Sequence, residues 1–263
     1  MKTLSFIIPM YNEEERLQKT LSALKTLSLP RGLTLEEVIF VNDGSLDHTK
    51  KLLLKARPSL AAKLKTTVKV ISYAQNQGKG YALRQGMKAA HGDYALFFDA
   101  DMSTPLSELK KFTPKMESGI DVIVGTRKNG KSTVIKHQPK LRETLGKGFT
   151  LLTRTALNIR EVTDFTCGFK AFSRQSYSRI FAQSIINGWG YDAELLYLAV
   201  KQKYTMVEVP VHWSNDERTK VNLSKAIPQT LKEIATIKFH HGVKGFLSST
   251  KNVAFHGRLS RAK

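Results

Sequence analysis

Cysteine is all but missing: Cys167 stands alone among 263 residues. An internal disulfide framework is therefore excluded, and the chain fits a reducing compartment. No window holds 18 uninterrupted apolar residues, so no stretch reads as a bilayer-spanning helix and any membrane contact is expected to be peripheral. The chain enters a strand at residues 4–8 without the cationic region, apolar run and cleavage site of a signal peptide. Repeats and low-complexity segments are lacking too. Acidic residues are scarce, 22 Asp+Glu against 42 Lys+Arg, for a formal charge of +20. That excess points to a polyanionic partner, nucleic acid or an anionic membrane surface, or to nothing more than a soluble basic exterior. Apolar residues make up 41 %, which excludes general disorder and suits one large domain, or one with an appendage.

What is present is a strand–helix rhythm over the first 127 residues. Apolar runs at 4–8, 38–41, 68–71, 94–98 and 122–124 read as strands. Leu17, Leu21 and Leu24 mark the buried face of the first helix. Asn12 is expected to cap that helix, with Glu13, Glu14 and Glu15 in its positive first turn. Ser45 is expected to open the second helix, and residues 81–90 form the third. This alternation implies a mostly parallel sheet with helices on both faces. After Arg127 the pattern changes. Residues 128–138 read as a basic, mobile loop, followed by helices near 139–158, 173–182 and 192–202 and a strand at 206–213. From Lys225 the chain turns helical and basic, with Ile227, Leu231, Ile234 and Ile237 at helical spacing.

Polar chemistry gathers where the strands end. The run Phe97-Phe98-Asp99-Ala100-Asp101 stops an apolar strand on two carboxylates. Like charges so close repel unless a cation joins them, and Mg²⁺ takes one or two carboxylates and completes its shell with phosphate oxygens. A solvated turn is the plainer alternative. Three further strand-end loops carry Pro9-Met10-Tyr11-Asn12-Glu13, Asn42-Asp43-Gly44-Ser45-Leu46-Asp47 and Asn76-Gln77-Gly78-Lys79-Gly80. Ligands of open α/β sheets bind outside the carboxyl ends of the strands, so these loops converge by topology. Tyr11 can stack on a base, Asp43 can accept from a base N–H, and Lys79 offers a point charge to a diphosphate. Taken singly, each could instead be a cap or a turn.

In their order, Pro9-x-Tyr11-Asn12-Glu13, Asn42-Asp43-Gly44-Ser45-x-Asp47-x-Thr49, Asn76-x-Gly78-Lys79-Gly80 and Asp99-x-Asp101 resemble the inverting family-2 glycosyltransferases. Gly125-Thr126-Arg127, Asp164-x-x-Cys167-Gly168-Phe169-Lys170 and Trp189-Gly190-Tyr191-Asp192-x-Glu194-Leu195-Leu196 narrow the resemblance. They are similar to the polyprenyl- and dolichyl-phosphate hexosyltransferases, closest to the β-glucosyltransferase branch. The likeness covers roughly residues 3–222. The eukaryotic glucosyltransferases carry an N-terminal membrane anchor that is not seen in this sequence, and the final 40 residues match no motif of the family.

The resemblance implies a GT-A, Rossmann-like nucleotide-sugar fold over 1–224, with a nucleotide-sugar half at 1–127, an acceptor half at 128–224 and a basic amphipathic segment at 225–263. It implies that Pro9, Tyr11, Glu13 and Asp43 hold the nucleoside, with Lys79 near the diphosphate. Asp99 contacts ribose or metal, and Asp101 is the main ligand of Mg²⁺ or Mn²⁺. Arg127, Asp164, Lys170 and Arg218 face the acceptor. A second reading of Asp164 is a cap or the partner of a nearby Arg, and Asp192 reads as the cap of its helix. The implied reaction moves a hexose, glucose from UDP-glucose as the best reading, with inversion onto a polyprenyl phosphate. The implied setting is the cytoplasmic face of an anionic membrane.

Two rivals stay open at this stage. A hydroxyl acceptor would need a carboxylate base. A nucleic-acid-binding protein would explain the charge, but no basic–aromatic interleaving or RNA motif is found, and Asp99 and Asp101 would repel phosphate unless a metal intervened. No nucleic-acid partner is therefore expected. The histidines show no metal-ligand spacing.

Overall fold

The computed structural model describes residues 1–128, 132–136, 140–215 and 223–243. Arg218, Lys220 and the tail from 244 onward lie outside the described residues. The first half alternates β1 (Lys2–Met10), α1 (Glu14–Lys25), β2 (Leu33–Asp43), α2 (Thr49–Leu64), β3 (Thr67–Tyr73), α3 (Lys79–Lys88) and β4 (Tyr94–Phe98). A 3-10 turn, Leu106–Glu108, leads into α4 (Leu109–Glu117) and β5 (Val122–Thr126). Then follow β6 (Thr133–Lys136), α5 (Lys140–Leu157), β7 (Phe169–Ser173), α6 (Arg174–Gln183), α7 (Tyr191–Lys201), β8 (Met206–Pro210), β9 (His212–Ser214) and α8 (Leu223–Ile237), which runs on into a π-helical segment, Lys238–Val243.

The main sheet has the order β3-β2-β1-β4-β7-β5-β8. All its pairings are parallel except those of β7, which runs antiparallel to both β4 and β5. Period-two side-chain alternation divides the core between two faces. Phe6, Phe40 and Phe98 face Leu17, Leu21 and Leu24 of α1. Ile7, Ile39 and Phe97 face Leu83 and Met87 of α3 and Leu196 of α7. Each fully buried side chain of this size contributes roughly 1.5–3 kcal/mol. At Gly86 an added Cβ would fall 2.3 Å from Cγ2 of Ile7. The helix backbone therefore lies directly on β1.

Strand order reverses between β1 and β4. The crevice at such a switch point is where open α/β sheets bind ligands. Four of the expected strands are present but longer, and 94–98 is unchanged. Several expectations fail in instructive ways. Asn12 does not cap α1; it sits at φ 53°, its N–H donates to Ser45 Oγ at 2.9 Å, and its Oδ1 accepts from Leu46 N at 2.8 Å. Ser45 opens no helix, because its hydroxyl serves this loop-to-loop bridge, and α2 begins at Thr49. The stretch 128–138 includes β6, paired in parallel with β9. The expected strand 206–213 is divided at Val211 between two sheets. β7 was not foreseen at all.

The apolar stripe of α8 is turned largely inward. Ile234 and Ile237 are buried in the core, whereas Leu231 is exposed. No helix among the described residues is long and apolar enough to cross a membrane.

Candidate active site

Because β1–β4 are parallel, the four polar loops meet at one sheet edge, and hydrogen bonds lace them together. Asp43 accepts from Gln77 N at 2.8 Å, Gly78 N at 3.0 Å and Asn76 Nδ2 at 2.9 Å. An ionised carboxylate has about four acceptor positions, so most of this one already serves the third loop. Glu13, expected to touch the nucleoside, is buried; its carboxylate pairs with Arg16, and its N–H donates to Thr49 Oγ1 at 2.8 Å. Pro9 is half-buried near the end of β1, and Tyr11, just beyond the strand, is exposed. Gly78, at φ +97° in the N-cap position of α3, has a conformation that suits glycine.

The carboxylates that end β4 are held by other elements. Lys19 Nζ and Thr20 Oγ1 of α1 donate to the carbonyls of Asp101 and Ala100, each at 2.6 Å. Ser214 N on β9 donates to Ser103 O at 2.9 Å. Lys79 Nζ pairs with Asp99. Burial alone would depress the Lys79 ammonium, but Asp99 and Asp192 outweigh it and hold its pKa above the ordinary lysine value. Asp101 accepts from Ser103 N at 2.8 Å and forms no ion pair among the described residues. Burial and repulsion from Asp99 lift its carboxyl above the usual range. Of the two carboxylates, Asp99 has the lysine and Asp101 has none. These residues fit a divalent cation: they are hard oxygen donors with uncompensated negative charge. No group of three or more His, Cys, Asp and Glu side chains suited to a metal occurs among the described residues. Remaining ligands would have to come from phosphate and water, as is usual for Mg²⁺.

The residues expected to face the acceptor behave differently. Asp164 is fully buried, and Arg127 donates to it three times: from its backbone N at 2.9 Å, and from Nε and Nη2 at 2.8 Å each. Burial would raise this carboxyl, but the Arg127 charge and hydrogen bonds pull it down to about 2. The guanidinium also reaches Thr166 Oγ1 at 2.9 Å and lies 5.0 Å from the Trp213 ring centroid. Lys170, expected toward the acceptor, is instead wholly buried. Its Nζ bonds Asp192 Oδ1 at 2.5 Å and Cys167 O at 2.7 Å. Asp192 is accordingly a core counter-ion rather than a helix cap; Gly190 occupies the N-cap position. Burial pushes the Cys167 thiol up to about 12, which makes it inert.

β7 is what joins the two sides. An added Cβ at Gly168 would fall 1.9 Å from Oδ2 of Asp99. The Asp164–Lys170 motif therefore abuts the metal-type carboxylates at a position only glycine can fill. One further residue escaped the sequence reading. Glu208 on β8 accepts from Thr163 N at 2.7 Å and Asp164 N at 2.8 Å, fixing the Asp164 loop. Its place in a strand alternating Met206, Val207 and Val209 offers no signal for that role.

The profile of glycosyl transferase family 2 matches residues 5–181, which hold all four donor-edge loops, Arg127, Asp164 and Lys170. The chain belongs to glycosyl transferase family 2. Among curated members of the family it is 32 % identical to the dolichyl-phosphate beta-glucosyltransferase of Dictyostelium discoideum over 250 residues, 90 % of this chain and 74 % of that protein. The human protein of the same name is 32 % identical over 234 residues, 84 % of this chain and 70 % of its own. Of solved structures, glucosyl-3-phosphoglycerate synthase from Mycobacterium tuberculosis, determined with Mn²⁺, UDP and glucosyl-3-phosphoglycerate, superposes with a TM-score of 0.64 at 20 % identity. It covers 92 % of this chain and 80 % of that one. Mannosyl-3-phosphoglycerate synthase from Rubrobacter xylanophilus gives 0.65 at 17 % identity, covering 92 % and 75 %. At these identities the likeness establishes the GT-A fold, which the family-2 chain shares.

Proposed function

We propose that this glycosyltransferase moves glucose from UDP-glucose, with inversion, onto a polyprenyl phosphate. The observation that carries the reading is the contrast between the two sets of carboxylates. Lys79 pairs with Asp99 and leaves Asp101 without an ion pair among the described residues, whereas Asp164 is already neutralised by Arg127. The first cluster calls for a divalent cation bearing a diphosphate. A bound Mg²⁺ or Mn²⁺ would stabilise charge on the leaving nucleoside diphosphate. Asp99 and Asp101 would hold it, Lys79 would take part of the diphosphate charge, and Tyr11 would lie against the base.

The second cluster suits an acceptor that needs no deprotonation. A phosphate monoester loses its second proton near about pH 6 and is already a nucleophile at neutral pH. Such an acceptor needs placement by cations, and Arg127, oriented by Asp164 and Trp213, is set to supply it. Asp164 and Lys170 act here as positioning residues, and Arg218 joins Arg127 on the acceptor side. The names of the dolichyl-phosphate beta-glucosyltransferases support both sugar and acceptor. A lipid acceptor places the enzyme at the cytoplasmic face of a membrane. Exposed Leu231 and Phe239 beside exposed Lys232 and Lys238 support peripheral contact with an anionic surface. The domain reading follows the same division, with nucleotide sugar at 1–127, acceptor at 128–224 and membrane contact in the segment beyond.

A thermal-shift panel of UDP- and GDP-sugars with and without Mg²⁺ or Mn²⁺ tests the donor. Stabilisation by ligand follows mass action, about 2.7 kcal/mol at a hundred times Kd. UDP-glucose with metal is expected to raise Tm most. Greater stabilisation by GDP-sugars, or equal stabilisation without metal, would overturn the assignment.

A further inference from the structure

The loop at residues 184–190, between α6 and α7, touches the donor edge on one side and α8 on the other. Toward the donor edge, Asn187 O accepts from Gly80 N at 2.9 Å and Ile186 O from Arg84 Nη1 at 3.0 Å. The approach is backbone to backbone. A Cβ on Gly80 would fall 2.2 Å from Ile186 O, and one on Gly78 would fall 2.5 Å from Asn187 O. Lys79 lies between these two glycines, with its Nζ 5.4 Å from the ring centroid of Tyr191, the first residue of α7.

Toward α8 the loop is gripped by one carboxylate. Glu233 Oε2 accepts from Gly190 N at 2.6 Å, and Gln229 Nε2 donates to Glu233 Oε1 at 2.9 Å. A Cβ on Gly188 would meet Glu233 Oε1 at 2.1 Å, and one on Gly190 would meet Glu233 Cβ at 2.9 Å. Two glycines thus make the cradle for Glu233. The following π-helical segment adds a second tie. His241 Nε2 lies 2.7 Å from Oε1 of the buried Glu194, whose carboxylate also accepts from Ile185 N and Ile186 N at 2.9 and 2.8 Å.

We propose that Glu233 of α8 is a positioning residue for the donor diphosphate: it fixes the 184–190 loop, which in turn sets the place of Gly78–Gly80 and of Lys79. The C-terminal helix is thereby a structural part of the donor site. This proposal rests on the assignment of Lys79 to the donor, and its test separates the two. A loop held by one charged hydrogen bond loses about tenfold in the equilibrium it controls when that bond is removed. In the full chain, E233A is expected to weaken UDP–Mn²⁺ binding by calorimetry about tenfold and to raise donor KM similarly, with acceptor KM unchanged. E233Q, whose amide oxygen still accepts from Gly190, restores binding to within about twofold. T236A, at an exposed position of the same helix, leaves both unchanged.

In ligand-free protein, E233A is expected to speed hydrogen exchange at the Gly80 amide at least tenfold. The Gly92 amide, bonded to Ser5 Oγ in the distant end of the sheet, keeps its rate. Wild-type UDP affinity and Gly80 exchange in E233A would overturn the proposal. So would equal acceleration at Gly80 and Gly92, which is general loosening. Fast Gly80 exchange in E233A, with no UDP binding by the wild-type protein, would uphold the coupling and sink the nucleotide assignment instead. Should E233A not fold, E233D, which withdraws the carboxylate by one methylene, carries the same test with the same criteria.

Discussion

Asp101, just after β4, and Asp164, just before β7, have opposite electrostatic surroundings. Asp101 forms no ion pair among the described residues, since Lys79 pairs with Asp99, and its carboxyl is raised by burial and like charge. Asp164 holds Arg127 in a bidentate grip, has Lys128 Nζ 3.9 Å away, and has its carboxyl drawn down to about 2. An acid that is short of positive charge recruits a cation from outside. An acid saturated from within aims the cation it already holds. On the proposed function, Asp101 would hold the metal and Asp164 would place Arg127.

The largest expected effect comes from removing the unsaturated side. Asp101→Ala should abolish transfer and the metal-dependent stabilisation by UDP, while Tm holds or rises, because one of two repelling carboxylates is gone. Asp164→Ala should do the reverse to stability. Removing one partner of a buried pair costs about 3–5 kcal/mol, and the low end applies because Arg127 keeps Thr166 and Trp213. Thermal unfolding of both variants checks the contrast. Equal losses of Tm would break it.

A smaller effect sharpens the role of Asp164. Asp164→Asn keeps the shape and most hydrogen bonds, so it should slow transfer roughly 10- to 100-fold, less than the upper range of about 10⁴ for loss of a general base. Its pH signature is more specific. A carboxyl depressed to about 2 from an unfolded value near 3.9 gives stability that is fully present above about pH 4 and lost as pH falls toward 2. Asp164 therefore has no titration to contribute to the rate between pH 5 and 8. The ascending limb near about pH 6 should belong to the acceptor phosphate and keep its midpoint in Asp164→Asn. A limb that shifts or vanishes in that variant would make Asp164 the base.

The donor side was legible in the sequence because each of its parts is local. An apolar run gives a strand, a parallel strand gives an edge, and the residues just beyond the run line it. The strand ending in Phe98 and the Lys79 loop follow from this alone. The acceptor side depends on pairings between distant segments, which local pattern does not encode. Phe169–Ser173 carries Lys170 within a strand buried from Phe169 to Phe172, so neither alternation nor hydropathy marks it. Its antiparallel insertion between β4 and β5 decides where Asp164 lies. Asn12 and Ser45 have side chains that suit helix caps, yet they bond each other's loops, since tertiary contact outweighed local propensity. Glu208 and Glu233 are visible only once their backbone partners, 44 and 43 residues away, are in place.

The most direct test of the account is transfer from UDP-glucose to a polyprenyl phosphate compared with the matching polyprenol, under identical metal and pH. A site that places an ionised acceptor and keeps Asp164 bound to Arg127 should glucosylate the phosphate and leave the alcohol essentially untouched. Equal turnover of the two would contradict it and would make Asp164 the group that removes the acceptor's proton.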